Sequence, residues 1–312
     1  MKHLFIVNPV AGGKDHTREV RAKVEKAFAQ RGGEFEIYVT RAPMDATDKI
    51  LAEAASGEHI RVYACGGDGT FNECVCGAAQ LPNVAICPFP TGTGNDFCRM
   101  FGEEKDMFRD LDVLLRGSEH PIDLIDCNGR FCSNICSVGI DARIGTSVHN
   151  YSKIPVIGGA TGYVVSLIVN VLKGINRHMR VRIKDFYVDE ELALVCVCNG
   201  RYYGGGFNPS LTARPDDGVL DVFVVKKVGL ITLARLLGKY ASGHADECPQ
   251  YITRIQTDEL SISFDEDNVI NIDGEALFSK DVSIRVIHNA VKLIVPAGMK
   301  FFEQSAAETA TV

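Results

Sequence analysis

The sequence predicts an α/β-plus-β chain: an N-terminal doubly wound α/β domain followed by a mostly antiparallel β-sandwich domain. Three observations carry this expectation. Strand and helix patterns alternate up to about residue 115, an order that requires a parallel sheet with right-handed crossovers. Three of those strands end in glycine-rich turns, and from Met179 onward most patterned segments are strands. The boundary falls near Ile125, giving 1–125 for the first domain, 126–300 for the second and 301–312 for an Ala/Thr-rich tail.

Residues 4–7 read as the first strand and run into Asn8-Pro9-Val10-Ala11-Gly12-Gly13. Val20, Val24, Ala27 and Phe28 form the apolar stripe of a helix that Gly32-Gly33 terminates. Residues 35–40 make the second strand, and 46–55 a helix with Ile50, Leu51 and Ala54 facing inward. Ile60, Val62 and Ala64 mark the third strand, and Phe71, Cys74, Val75 and Ala78 the helix after it. Residues 84–89 form a fourth strand ending in Pro90-Thr91-Gly92-Thr93-Gly94-Asn95-Asp96-Phe97, and 107–115 a further helix.

In the second domain Asn128-Gly129 favours a two-residue hairpin between 122–126 and 131–138. Strands are expected over 181–186, 192–198, 219–225, 252–256, 260–264, 269–272, 282–287 and 291–295, with a helix over 230–240. The apolar window 154–172 approaches membrane-spanning length. Pro155, Gly158, Gly159, Gly162 and Asn170 interrupt it, so a buried or interfacial helix starting near Gly159 is expected instead.

The stretch Gly66-Gly67-Asp68-Gly69-Thr70-Phe71-Asn72-Glu73 carries the most chemistry. A strand, a glycine turn and a helix suit phosphate, because glycines permit positive φ and close approach while the N–H groups of the helix point at an anion. Asp68 would repel bare phosphate, and a divalent cation between them removes the conflict. The stretch therefore predicts a metal–nucleotide complex; the alternative is a tight turn with Asp68 as N-cap. Ligands of parallel sheets bind outside the carboxyl ends of the strands, so the three turns would form one nucleotide site.

Composition sets the outer limits. A net charge of −7 over 312 residues argues against nucleic acid as a partner, though not against a local basic patch such as Lys226-Lys227 on a membrane. Eleven cysteines and an N-terminus that opens on a strand pattern point to a reducing, cytoplasmic setting. No pair of C-x-x-C knuckles occurs, so the thiols are expected as small core residues and not as zinc ligands.

With these residues in view, the chain resembles the diacylglycerol-kinase-like lipid kinases, the family of soluble bacterial diacylglycerol kinases and of the catalytic domains of sphingosine and ceramide kinases. Asn8-Pro9-x-Ala11-Gly12, Gly66-Gly67-Asp68-Gly69-Thr70-x-Asn72-Glu73, Pro90-x-Gly92-Thr93-x-Asn95-Asp96-Phe97 and Asp273-Gly274-Glu275 match its pattern in order and spacing. The Gly-Gly-Asp-Gly turn also resembles NAD kinases and phosphofructokinases; the Asn72-Glu73 extension and the Thr-Gly-Thr-Gly-Asn-Asp turn favour lipid kinases.

The resemblance implies ATP and Mg²⁺ as cofactors. It implies nucleotide contacts from Asn8, Pro9, Val10, Ala11, Gly12, Thr40, Gly66, Gly67, Asp68, Gly69, Thr70, Phe71, Asn72 and Thr93. Asp68 would hold the ATP-bound magnesium, with Asp96 and Asp123 around it, and Glu275 would be the general base. Asp273-Gly274-Glu275 is equally a plausible hairpin turn. Asp217, with carbonyls from Arg214 and Val219, resembles a loop that binds a second, structural magnesium. Tyr202-Tyr203-Gly204-Gly205-Gly206 reads as either part of an acceptor cleft or a surface loop.

The implied activity is γ-phosphoryl transfer from ATP to a lipid hydroxyl, with diacylglycerol the leading acceptor, and reversible contact with a membrane surface. An NAD-kinase-like transferase on a soluble hydroxyl and a non-catalytic nucleotide-binding protein are the competing readings. The sequence leaves a homodimer open.

Overall fold

The computed structural model describes residues 1–91, 95–143 and 174–303. Its contacts gather into two compact units: Met1–Ile122 with the chain from Asn289 on, and Asp123–His288. The second unit thus ends at His288, not at the expected 300. The physical reason is the last strand, whose Lys292 and Leu293 pair in parallel with Ala85 and Ile86 of the first unit's sheet.

In the first unit, β1 (Lys2–Val7), β2 (Glu34–Val39), β3 (Ile60–Gly66) and β4 (Val84–Pro90) form a parallel sheet in the order β2-β1-β3-β4. β4 is buried along its whole length and β3 at all but one position, as a sheet covered on both faces requires. Helix α1 (Thr17–Arg31) buries Val20, Val24 and Phe28, and stops where Gly32, at φ 71°, donates its N–H to the Phe28 carbonyl. Helix α2 (Asp45–Ala54) buries Ala46, Thr47 and Ile50, whereas Leu51 is 47% exposed and Ala54 half-buried. Of the three residues expected to face inward, only Ile50 does so fully. The stripe is set by close packing on α3 (Asp68–Ala78), where a Cβ on Gly77 would lie 3.0 Å from the Thr47 backbone.

After α4 (Asp96–Arg99), the helix expected over 107–115 divides into a 3-10 helix, Gly102–Arg109, and α5 (Leu111–Leu115). Asp110 separates them, its carboxylate accepting the N–H groups of Asp112 and Val113 at 3.0 and 3.2 Å, which starts a new helix. The expected tail beginning at 301 opens instead as core: the rings of Phe301 and Phe302 lie 4.8 and 5.9 Å from Phe101. The remainder of that tail lies outside the described residues.

The second unit contains the end of β5 (Ser118–Cys127), then β6 (Arg130–Cys132), β7 (Ile135–Gly139), β8 (Arg177–Ile183), β9 (Phe186–Cys198), β10 (Leu220–Lys226), helix α6 (Leu230–Ala241), β11 (Ile252–Thr257), β12 (Glu259–Ile272) and the start of β13 (Glu275–Val295). Its strand pairs β5–β6, β7–β9, β8–β9, β9–β10, β10–β11, β7–β12, β8–β12 and β12–β13 are antiparallel. The Asn128-Gly129 hairpin forms with both residues at positive φ, 51° and 83°. Residues 131–138 break into β6 and β7 at Ser133-Asn134. Conversely 260–264 and 269–272 are one strand with an irregular register between Ser263 and Asn268, and 282–287 and 291–295 are one strand.

Alternation along β9 sends Val195 and Val197 into one core with Cys136, Val222 and Ile270. Cys196 and Cys198 enter another with Phe223, Leu236 and Tyr240, on the side of α6. Ten of the eleven cysteines are buried, and burial pushes the pKa of thiols such as Cys65 and Cys74 up. The helix expected near Gly159 lies outside the described residues.

Candidate active site

The first unit gathers its three turns at one edge. β1 has β2 on one side and β3 on the other, so the chain leaves it in opposite directions at a topological switch point, where open α/β sheets bind ligands. Asn8 donates its backbone N–H to the Cys65 carbonyl at 3.1 Å and its side-chain amide to Thr70 Oγ1 at 3.0 Å. Its Oδ1 accepts the Val10 N–H at 3.1 Å. The turn after β1 is thus tied to the turn after β3. Asp68 Oδ1 accepts the backbone N–H groups of Asp96 at 2.7 Å and Phe97 at 3.4 Å, tying the turn after β3 to that after β4. Thr40 donates its N–H to the Val7 carbonyl at 2.9 Å, bringing the end of β2 to the same edge.

The glycines act differently from expectation. Positive φ occurs at Gly12 (66°) and Gly13 (73°), but Gly66, Gly67 and Gly69 lie outside that region. Gly66 is required by proximity: a Cβ there would sit 2.6 Å from the Thr70 Cβ and closer still to its hydroxyl. That approach lets α3 begin directly at the end of β3. Gly67 is the residue before the helix and Asp68 its first member, so Asp68 is not the N-cap of α3; its carboxylate instead accepts the first two N–H groups of α4, whose own N-cap is Asn95.

Among the residues expected at the nucleotide, Val10, Gly12 and Gly69 are exposed, and Asn8, Pro9, Ala11, Thr40, Gly67 and Asp68 half-buried. Phe71 is buried with its ring 4.6 Å from Phe97, and Gly66, Thr70 and Asn72 are buried as well. Phe71 therefore offers a ligand only its backbone. Thr93, with Gly92 and Gly94, lies outside the described residues.

In the second unit Asp273, at φ 48°, and Gly274, at φ 97°, form the two-residue turn between Ile272 and Glu275. The hairpin reading is therefore right as geometry. It leaves the exposed carboxylate of Glu275 at the first position of β13, with no hydrogen-bond partner among the described residues. Asp273 has a role that the sequence reading missed. Its carboxylate accepts N–H groups from Ser133 (2.7 Å), Asn134 (3.2 Å) and Ile135 (2.9 Å) and the Ser133 hydroxyl (3.0 Å), which is why the strand breaks there. The one available signal was an Asp-Gly pair between two apolar runs.

Asp123 is buried and holds the 214–219 loop: its N–H donates to the Pro215 carbonyl at 2.6 Å and its Oδ2 accepts the Gly218 N–H at 2.8 Å. Arg214 forks onto Asp216 at 3.0 and 3.2 Å. Asp217 Oδ1 accepts the Val219 N–H at 3.0 Å. Desolvation pushes the Asp217 carboxyl up to about 6; the Val219 N–H opposes this, and the carboxylates of Asp216, Asp221 and Asp123 add to it. This excess of negative charge around an exposed oxygen donor suits a hard cation that keeps several waters. Asp68, an oxygen donor in a turn rich in amide N–H groups, suits a cation that arrives with a nucleotide. No cluster of three or more His, Cys, Asp or Glu able to cage a metal occurs among the described residues.

Tyr203 precedes three glycines at positive φ and turns inward. Its hydroxyl donates to Asp141 Oδ2 at 3.0 Å and meets the Tyr240 hydroxyl at 3.2 Å. Burial pushes the Asp141 carboxyl up to about 6, against hydrogen bonds from Ser137 and Tyr203.

Comparisons with known proteins agree with this arrangement. Residues 2–127 match the diacylglycerol kinase catalytic domain, and residues 134–295 the YegS C-terminal NAD kinase beta sandwich-like domain. The chain is 30% identical over 312 residues to a Pseudomonas aeruginosa protein named "Probable lipid kinase YegS-like", covering 98% of each. It is 28% identical over 285 residues to the diacylglycerol kinase of Bacillus subtilis, covering 88% of this chain and 90% of that one. A crystal structure of a diacylglycerol kinase from Bacillus anthracis superposes with a TM-score of 0.70 at 25% identity, over 96% of this chain and 98% of that one. From the matched domains and this full-length similarity, the chain belongs to the diacylglycerol-kinase-like lipid kinases, phosphotransferases with an alcohol acceptor.

Proposed function

We propose that this chain transfers the γ-phosphoryl group of ATP to a lipid hydroxyl, with diacylglycerol as acceptor and phosphatidic acid as product. The observation that carries the reading is the pair of ties, Asn8 to Thr70 and Asp68 to Asp96, that gather three glycine turns at the switch point of a parallel sheet. The backbone N–H groups of those turns and of the start of α3 would cradle the nucleotide phosphates. Glu275 would take the proton of the acceptor hydroxyl as it attacks the γ-phosphorus, since a neutral alcohol is a poor nucleophile. Magnesium, held at the nucleotide by Asp68 and in the 214–219 loop by Asp217 with the carbonyls of Arg214 and Val219, would neutralise charge on the phosphate oxygens and clip that loop.

No helix among the described residues is long and apolar enough to cross a membrane. The reading includes reversible contact with a membrane surface from the cytoplasmic side. The test is transfer of γ-labelled phosphate from ATP into diacylglycerol in mixed micelles and into NAD in solution. Label in the lipid, dependent on the micelles, is expected. Label in NAD alone would replace the lipid acceptor by a soluble one.

A further inference from the structure

Helix α6 has two apolar faces, and only one of them is used by the fold. Leu236 and Tyr240 are buried and Leu233 packs partly against the same core. At ~100° per residue, Leu237, Leu230, Ala234, Gly238 and Ile231 fall on a separate arc of roughly 120°. All five are exposed, Leu230 at 56%, Ile231 at 71% and Leu237 at 40%. Leu211, also exposed, lies against Gly243 just beyond the helix end. Among the described residues, these four make up four of the ten large apolar side chains left exposed, so the exposure is concentrated and not scattered.

Charge borders this arc. Arg235 and Lys239 follow Ile231 around the helix and are exposed, and the exposed Lys226 and Lys227 precede it in the chain, with Val228 and Gly229 between. Lys239 pairs with Glu247 at 3.0 Å and Lys227 with Glu191, both as exposed pairs that exchange readily with other anions. The chain as a whole carries −7, so attraction to an anionic surface must come from this local placement. Twelve residues span about 18 Å, too short to cross a bilayer and suited to lying in its interface, with apolar side chains down and long basic side chains reaching to headgroups.

We infer that the Leu230–Ile231–Ala234–Leu237 face of α6 is the surface that docks this protein on an anionic lipid bilayer. A second copy of the chain would leave the basic border facing itself, whereas anionic headgroups complement it. The inference rests on the lipid-acceptor reading for its purpose, but its binding test does not depend on turnover.

The full chain is sedimented with vesicles of phosphatidylcholine plus phosphatidylglycerol and with phosphatidylcholine alone. Wild type binds the mixed vesicles more tightly. Ile231→Ser/Leu237→Ser, both exposed and so compatible with folding, weakens binding to both vesicles on the order of 10-fold or more. Arg235→Gln/Lys239→Gln removes mainly the preference for anionic vesicles. The apolar variant also loses turnover on vesicle-borne acceptor while keeping it on a short-chain acceptor dispersed below its critical micelle concentration. Vesicle binding by the apolar variant equal to wild type overturns the inference, as does a concentration-dependent dimer that the same variant abolishes while wild type ignores vesicles. If wild type binds vesicles as described but phosphorylates no lipid, the acceptor reading fails and the docking face stands.

Discussion

At the scale of single residues, substitutions at Glu275 and Asp68 separate acceptor activation from nucleotide positioning. Glu275→Gln keeps size and hydrogen bonding but removes the proton acceptor, so it should slow the chemical step about 10²-fold or more with ATP affinity nearly unchanged. Asp68→Asn should weaken Mg-ATP binding as well as turnover, because it removes a charge at the nucleotide. Single-turnover rates and nucleotide titrations on the two variants distinguish these outcomes; near-normal turnover of Glu275→Gln at saturating acceptor would leave Asp273-Gly274-Glu275 as a hairpin turn only. Asp141 gives a pH signature. Burial pushes its carboxyl from the ordinary 3.8 up to about 6 in the fold, so the folded chain retains a proton that the unfolded chain loses. Stability is therefore greatest at the acid end of this window, falls as pH rises from about 4 to about 6 by at most about 3 kcal/mol, and is level above it. The other groups that face Asp141 are the hydroxyls of Ser137, Tyr203 and Tyr240 and the guanidinium of Arg143. Asp141→Asn should abolish that slope, so the stability difference between wild type and variant should itself change across pH 4–7; a difference that is level across this range would contradict the assignment.

At the scale of elements the loop 214–219 and the last strand each carry a prediction. If Asp217 holds magnesium, the ion stabilises the fold by mass action, and magnesium should raise the melting temperature of wild type more than that of Asp217→Ala. An identical rise in both would mean that the loop binds no metal. Leu293, fully buried beside β4, should cost 2–5 kcal/mol on truncation to Ala, a range typical of buried leucines. Hydrogen exchange should then quicken in β4, Val84–Pro90, and not only in the antiparallel strands of the second unit. Most elements were legible because their periods are plain: Val20, Val24 and Phe28 in α1, and the near-continuous burial of β3 and β4. Leu51 was misplaced because pattern does not reveal which arc of a short helix meets its neighbour. The division at Asp110 was missed because its capping competes with helical continuity, and the break at Ser133-Asn134 because it depends on Asp273, 139 positions from Asn134 along the chain.

At the scale of the whole molecule the two-part order is written in the sequence, but the return of the chain to its first unit is not. Nothing in the composition of residues 289–303 distinguishes a strand beside β4 from one more sandwich strand; the pairing of Lys292 and Leu293 is a long-range choice. The candidate site was legible as turns and as residue types. Its ties were not, because Asn8 and Thr70 are 62 positions apart and Asp68 and Asp96 28 apart. Those ties are also what makes the site testable as a unit. Amide hydrogen exchange over the full chain, with and without Mg-ATP, reads all three turns in one experiment. Protection by Mg-ATP should appear together in residues 8–12, 66–72 and 91–97 and require magnesium. Equal exchange in those turns with and without the nucleotide would contradict a nucleotide site at the switch point.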